Sequence, residues 1–152
     1  MMRRIIPVLI ALAAAGCAGH RASTTSTTGT YTTQVDTYLA RQAATERASG
    51  YTRLVAGPVH GRLNSGATGS HEMQVLGGSA YVVFGQCDND CTDLDLKIYD
   101  PNGSLLLQDV AVDDHPTLIF NPKTSGTLRV EVIMAHCNVN PCFYGLELLA
   151  RP

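Results

Sequence analysis

The chain has 152 residues, a formal net charge of −2 and 45% hydrophobic residues, so its length predicts one globular domain with extensions. Only 16% of the residues are charged, and the basic ones form no run beyond Arg3 and Arg4. This pattern lacks the basic stripe of nucleic-acid-binding proteins, and we expect no nucleic-acid partner.

The first residues have the pattern of an export signal. Met1–Arg4 carries two arginines, and the apolar run Ile5–Ala15 has the length of a signal peptide but is too short to span a bilayer. The run ends in Ala14-Ala15-Gly16-Cys17, which resembles a bacterial lipobox. We therefore predict a lipoprotein signal peptide over residues 1–16.

The lipobox resemblance implies that Cys17 is acylated, as in palmitate-bearing lipoproteins, and becomes the mature N-terminus. The cysteine count supports this, because removing Cys17 from five cysteines leaves an even number in an exported domain. The membrane, reached through an N-terminal lipid, is then a partner. Ala18 stands where aspartate often signals inner-membrane retention, which favours the outer membrane. Ordinary secretion after Ala13-Ala14-Ala15 is the alternative.

Two extensions precede the domain. Residues 17–33 are rich in Thr and Ser without apolar periodicity, which predicts a flexible tether because little surface is available to offset the entropy of ordering. Residues 34–50 place Val35, Leu39 and Ala43 at helical spacing, and Gly50 is a natural stop. We expect a short helix there that packs against the edge of the domain.

Residues 51–152 alternate between apolar and polar positions and are punctuated by Gly, Pro, Asn and Asp. The pattern predicts strands near 59–63, 73–76, 80–84, 94–99, 105–112, 117–120, 128–134 and 144–149. About eight short strands favour an all-β fold, an antiparallel β-sandwich or jelly roll. Gly77-Gly78 predicts a hairpin turn, and Asp100–Gly103 is a second strong turn signal.

Several segments resemble strands and turns of bacterial pre-peptidase C-terminal (PPC) domains. They are Asp93–Tyr99 with Pro101-Asn102-Gly103, Phe120-Asn121-Pro122 with Ser125–Val132, and Tyr144–Leu148. The resemblance covers roughly Val59 to Ala150. It implies a non-catalytic β-sandwich module of a kind often appended to secreted proteases, some of which bind calcium or matrix polymers. The chain departs from that pattern in carrying two cysteine pairs.

Four cysteines fall in the domain, as Cys87 with Cys91 and Cys137 with Cys142. In an exported protein four cysteines predict two disulfides. Local pairing within each short loop is favoured, because each loop can bring its own ends together. Pairing between the two loops is an alternative, and a four-cysteine zinc site is a third, although neither pair has the common spacing of zinc ligands.

The loop between the first two cysteines opens an acidic stretch. Asp88, Asp90, Asp93 and Asp95 supply hard oxygen atoms of the kind that calcium prefers, and we name them as candidate calcium ligands. Their spacing is not that of an EF-hand. The alternative is that acidic side chains populate a solvent-exposed turn and protect a strand edge from aggregation.

No catalytic motif stands out in the sequence, and we predict a protein that is not an enzyme. The expected function is that of a bacterial cell-envelope lipoprotein presenting a disulfide-stiffened binding or structural module. Its acidic loops would point away from the tether, and its partner would be an envelope protein or polymer. The alternative is a calcium-binding accessory or targeting module for a secreted protease or polymer-degrading system, with Ca²⁺ as the one candidate cofactor.

Overall fold

The computed structural model describes residues 27–152, and the side chains from Gly29 onward. This part of the chain contains the helix α1 (Thr27–Ala48) and eight strands. The strands are β1 (Arg53–Leu63), β2 (Thr68–Val75), β3 (Tyr81–Cys87), β4 (Cys91–Tyr99), β5 (Leu105–Asp109), β6 (Thr117–Phe120), β7 (Gly126–Cys137) and β8 (Cys142–Ala150). The predicted signal peptide, Cys17 and residues 17–26 of the predicted tether lie outside the described residues.

The strands form two four-stranded antiparallel sheets, with the orders β1-β8-β3-β6 and β2-β7-β4-β5. We call them sheet A and sheet B. The chain changes sheet at every connection except the one between β4 and β5. This alternation is typical of a jelly roll. The predicted all-β sandwich is confirmed, and each predicted strand overlaps an observed one.

The two predicted turns have different outcomes. Asp100–Gly103 joins β4 to its neighbour β5, and the Gly103 amide donates to the Asp100 carbonyl at 3.0 Å, so this turn is confirmed. The prediction of a hairpin at Gly77-Gly78 is wrong, because β2 pairs with β7 whereas β3 pairs with β6 and β8. The two glycines instead carry the chain from one sheet to the other.

The main core lies between the sheets. Along β4 the alternation predicted from sequence is observed, since Leu94, Leu96 and Ile98 are fully buried while the polar residues between them face outward. Tyr144 reaches across this core towards β1 and β2, where its hydroxyl group lies 2.9 Å from Nε2 of His71. The buried apolar side chains of the two sheets form one continuous cluster between them.

The helix α1 forms a third layer over the outer face of sheet A. Val35, Leu39 and Ala43 pack there with Phe143 and Leu149 in a second buried cluster. Because β8 is covered by sheet B on one side and α1 on the other, all nine of its residues are buried. The helix begins at Thr27, earlier than predicted, so residues 27–33 of the predicted tether are helical. It also covers the face of the sheet rather than the domain edge.

The helix covers a carboxyl group as well. Glu147 on β8 is 8% exposed, and its Oε2 atom has no hydrogen-bond partner in the described part of the chain. Burial raises the pKa of Glu147, the charge of Arg47 opposes this shift, and Asp36 reinforces it. Burial at this position therefore favours the protonated carboxyl group over the carboxylate.

A glycine in β8 allows the close approach of α1. A Cβ atom at Gly145 would lie 2.6 Å from Cδ1 of Leu39 and 2.8 Å from Cγ1 of Val35. Tyr31 stacks on Phe143 near the start of β8, and Arg47 lies near Glu147 towards its end, so α1 and β8 run in the same direction. The helix crosses the strand where no side chain separates them.

We predict that Gly145→Val destabilises the domain by about 1–3 kcal/mol, the usual cost of overpacking a tight contact. The matched control is Gly126→Val, since Gly126 also lies in a strand, but a Cβ atom there would meet no atom beyond its chain neighbours within 4 Å. Urea denaturation of both variants measures the difference. An equal loss of stability in both variants would contradict a close contact at Gly145.

Candidate functional site at the disulfide end

Both disulfides lie at the same end of the sandwich. Cys87 bonds to Cys91 between β3 and β4, and Cys137 bonds to Cys142 between β7 and β8, which confirms the local pairing. Cys91 and Cys137 are register partners in adjacent strands. The loops Cys87–Cys91 and Cys137–Cys142 therefore meet, and we call them together the disulfide end.

Asp88 links the loop Cys87–Cys91 to the start of β8 at the disulfide end. It is 1% exposed, and its Oδ2 atom accepts a hydrogen bond of 2.7 Å from the Phe143 amide. Its Oδ1 atom accepts one of 3.2 Å from the Asp90 amide, and its own amide donates to the Phe143 carbonyl. Burial raises the pKa of Asp88, and the hydrogen bonds from backbone amides oppose that shift. The carboxyl group thus acts as an acceptor for backbone amides of the loop and of β8.

The first turns of α1 pack against the same acidic loop. The Tyr38 hydroxyl group donates to Oδ1 of Asn89 at 2.5 Å, and the Asn89 amide donates to Oε1 of Gln34 at 3.3 Å. A hydrogen bond to Asp90 raises the pKa of Tyr31. The chain therefore enters the domain beside the acidic loop, and the expectation that this loop points away from the tether is wrong.

The four candidate calcium ligands occupy two places. Asp88 and Asp90 lie in the disulfide loop, whereas Asp93 and Asp95 lie on the outward face of β4. Burial raises the pKa of Asp95, with further contributions from the charges of Asp93, Asp109 and Asp113 and with Lys97 opposing. Across residues 27–152 no three His, Cys, Asp or Glu side chains are arranged to hold a metal ion. Calcium binding stays a prediction.

A second surface lies where the edge strands β5 and β6 face each other across the sandwich. A groove of about 540 Å³ opens there, and we call it the edge groove. Its apolar lining comes from both sheets, through Ile98, Leu106, Leu107, Ile119, Phe120 and Leu128. Sequence reasoning missed it, although the run Leu105–Leu107 was the available signal. The sequence predicts a strand for that run but does not indicate that the strand lies at an edge.

Comparisons with known proteins leave the family open. No protein-family model matches the chain, and a search of curated proteins identified no relative. Within the part of the chain that the structure describes, no helix is both long and apolar enough to cross a membrane. The geometry of the described residues is therefore the main basis for a functional proposal.

We predict that Asp88→Ala destabilises the domain by about 1–3 kcal/mol, because the buried Phe143 amide loses its acceptor. Asp114→Ala is the matched control, since it removes an exposed carboxylate that, within the described residues, bonds only the His115 side chain and leaves the Phe143 amide bonded. Urea denaturation with the disulfides intact compares the two variants. If both variants lose the same stability, Asp88 does not have the linking role assigned to it.

Proposed function

We propose that the chain is a non-enzymatic lipoprotein of the bacterial cell envelope, whose β-sandwich acts as a binding or structural module. The pair of local disulfides carries this proposal, because structural disulfides are typical of exported domains. The export signal and lipobox in the sequence agree with the same compartment. Acylation of Cys17 would hold the module at the membrane, with the outer membrane as the proposed location.

The resemblance to PPC domains supports the modular part of the proposal. The segments that carry it fall on β4, β7 and β8, on Phe120 at the end of β6 and on the loops around these strands. Inward side chains of β4, β7 and β8 contribute to the core between the sheets, including Leu96, Val132 and Leu146. Because the resemblance lies in core strands, it supports the β-sandwich fold and does not identify a partner. The proposed partner, an envelope protein or polymer, has to be argued from the surface residues.

The described geometry favours the edge groove over the disulfide end as the surface that meets a ligand. At the disulfide end, Asp88 is bonded to backbone amides, and Asn89 is bonded to Gln34 and Tyr38 of α1. At the edge groove, by contrast, Leu106 and Ile119 are 49% and 60% exposed. Exposed apolar side chains around a concave surface are typical of binding sites.

A second candidate function is that of a calcium-binding accessory or targeting module for a secreted protease or polymer-degrading system. The observation that favours it is that, beyond the effect of burial, the charges of Asp93, Asp109 and Asp113 raise the pKa of Asp95. Calcium takes carboxylate oxygens as ligands and would offset the repulsion between these groups. The side chains of residues 29–152 would have to rearrange around an ion, since no three of them are arranged to hold one. In this candidate the ion would lie on the β4 face next to the loop after β5.

We predict that Cys17→Ser moves the protein from the membrane fraction to the soluble periplasmic fraction, because the acyl chains that anchor it are lost. Ala18→Ser is the matched control and is expected to stay with the membranes. Fractionation followed by mass spectrometry of the N-terminal peptide measures both effects. Membrane association that persists in Cys17→Ser would rule out the lipid anchor.

If the second candidate is right, millimolar calcium raises the Tm by roughly 5 °C, since a ligand that binds only the folded state stabilises it. Asp95→Asn would reduce this shift, and Asp36→Asn on α1 would leave it intact. Thermal melting with calcium and with EDTA provides the comparison. A Tm that is the same in both solutions removes calcium from the function.

A further inference from the structure

The edge groove is built as a site between two layers. It opens between β5 of sheet B and β6 of sheet A, and its volume of about 540 Å³ lies in the range of small-molecule sites. Asp100 and the loop after β6 also line it, so it lies at the end of the sandwich opposite the disulfide end. It is therefore separate from the contacts of α1.

The inner wall of the groove is continuous with the main core. Ile98 and Leu128 line it and belong to the core cluster, and Phe120 stacks on the buried Tyr81 with ring centroids 5.5 Å apart. Leu106 and Ile119 stand at the mouth, one on each sheet. A ligand in the groove would therefore lie between two apolar walls and contact side chains of the main core.

The apolar walls discriminate between classes of ligand. A peptide strand inserted between the sheets would bring amide and carbonyl groups against the inner wall of Ile98, Phe120 and Leu128, whose side chains offer no hydrogen bonds. Such groups are costly to bury unpaired, and the described polar lining residues lie only in the turn at Asp100 and in the loop after β6. A hydrocarbon chain has no polar groups and gains from every methylene removed from water. The lining thus favours an acyl or alkyl chain over a peptide.

The rim of the groove carries a positive charge. Among the described residues the Lys123 ammonium group has no ion-pair partner. Its loop is fixed, because the Gly78 amide donates to the Pro122 carbonyl at 2.7 Å and the Gly77 amide donates to Oγ of Ser125 at 2.9 Å. A cation on a hydrogen-bonded loop beside an apolar groove is complementary to an anionic head group.

The groove is also lined by one carboxylate. Oδ1 of Asp100 accepts hydrogen bonds from the amides of Asn102 at 2.9 Å and Ser104 at 2.8 Å. These bonds occupy Oδ1 of Asp100 within its own turn, and they favour the charged carboxylate. Within residues 29–152, Lys123 is the one cationic side chain that lines the groove.

We propose that the edge groove binds a single-chain amphiphile with a carboxylate head, which in chemical terms is a fatty acid. The hydrocarbon chain lies between the mouth residues Leu106 and Ile119 against Ile98 and Leu128. The carboxylate lies at the Lys123 ammonium group. This site gives a ligand class to the binding module proposed above, and it rests on that function but not on acylation of Cys17.

The test uses the full chain with Cys17→Ser, purified without detergent, because detergent would compete for the groove. Dodecanoate, kept below its micelle concentration, is titrated by calorimetry and is expected to bind at one site. Dodecan-1-ol has the same chain without the charge and is expected to bind more weakly. Dodecanoate that does not bind, or binds no better than the alcohol or dodecyltrimethylammonium, would overturn the proposal.

Two pairs of variants locate the site. Lys123→Gln is expected to weaken dodecanoate binding about fivefold, the scale of one partly exposed ion pair, and Lys97→Gln on the outward face of β4 is the control. Leu106→Asn is expected to weaken binding about tenfold, with Val112→Asn as the control. Val112 is 88% exposed and does not line the groove.

One more variant and two more measurements complete the test. Ile119→Asn tests the same mouth from the facing sheet, should Leu106→Asn alter the fold seen by thermal melting. Binding unchanged in the Lys123, Leu106 and Ile119 variants would overturn the site. Self-association that Leu106→Asn abolishes and dodecanoate leaves intact would assign the groove to a second copy of the chain, against the proposal. Membrane fractionation of Cys17→Ser has an independent outcome, so the two proposals fail separately.

Discussion

The burial of sheet A on both faces is the constraint on which this structure depends. Strand β8 has apolar side chains on both sides, with Leu146 and Leu148 towards sheet B and Phe143 and Leu149 towards α1. A sheet with two apolar faces needs a cover on each, because exposed apolar area of this size drives association. The helix is thus part of the domain and not an appendage, and its contacts decide which end of the sandwich the chain enters.

Much of the fold could be predicted because strand signals are local. The alternation of Leu94, Leu96 and Ile98 identified β4 without knowledge of its neighbours. Strand pairing is not local, and this is why Gly77-Gly78 has the sequence of a hairpin turn although β2 and β3 lie in different sheets. The start of α1 was also missed, since Thr-rich helical turns have weak propensity and are held here by tertiary contacts such as Tyr31 on Phe143.

The candidate sites were harder to predict for the same reason. In the sequence, Asp88 looks like any acidic residue of an exposed turn, and only the distant Phe143 amide makes it a buried acceptor. Likewise, the exposure of Leu106 depends on β5 being an edge strand, which is set by the order of the sheet. The cysteine pairs were predictable because a short loop restricts its own ends.

The shared direction of α1 and β8 also has a mechanical consequence. A load transmitted from the N-terminal segment enters the domain at Thr27, beside the disulfide end. A pull along the helix axis would strain the contacts of Tyr31, Val35 and Leu39 together, as in shear, rather than one after another. Forced unfolding is governed by the unfolding rate, so contacts that must break together would slow the detachment of α1 from sheet A.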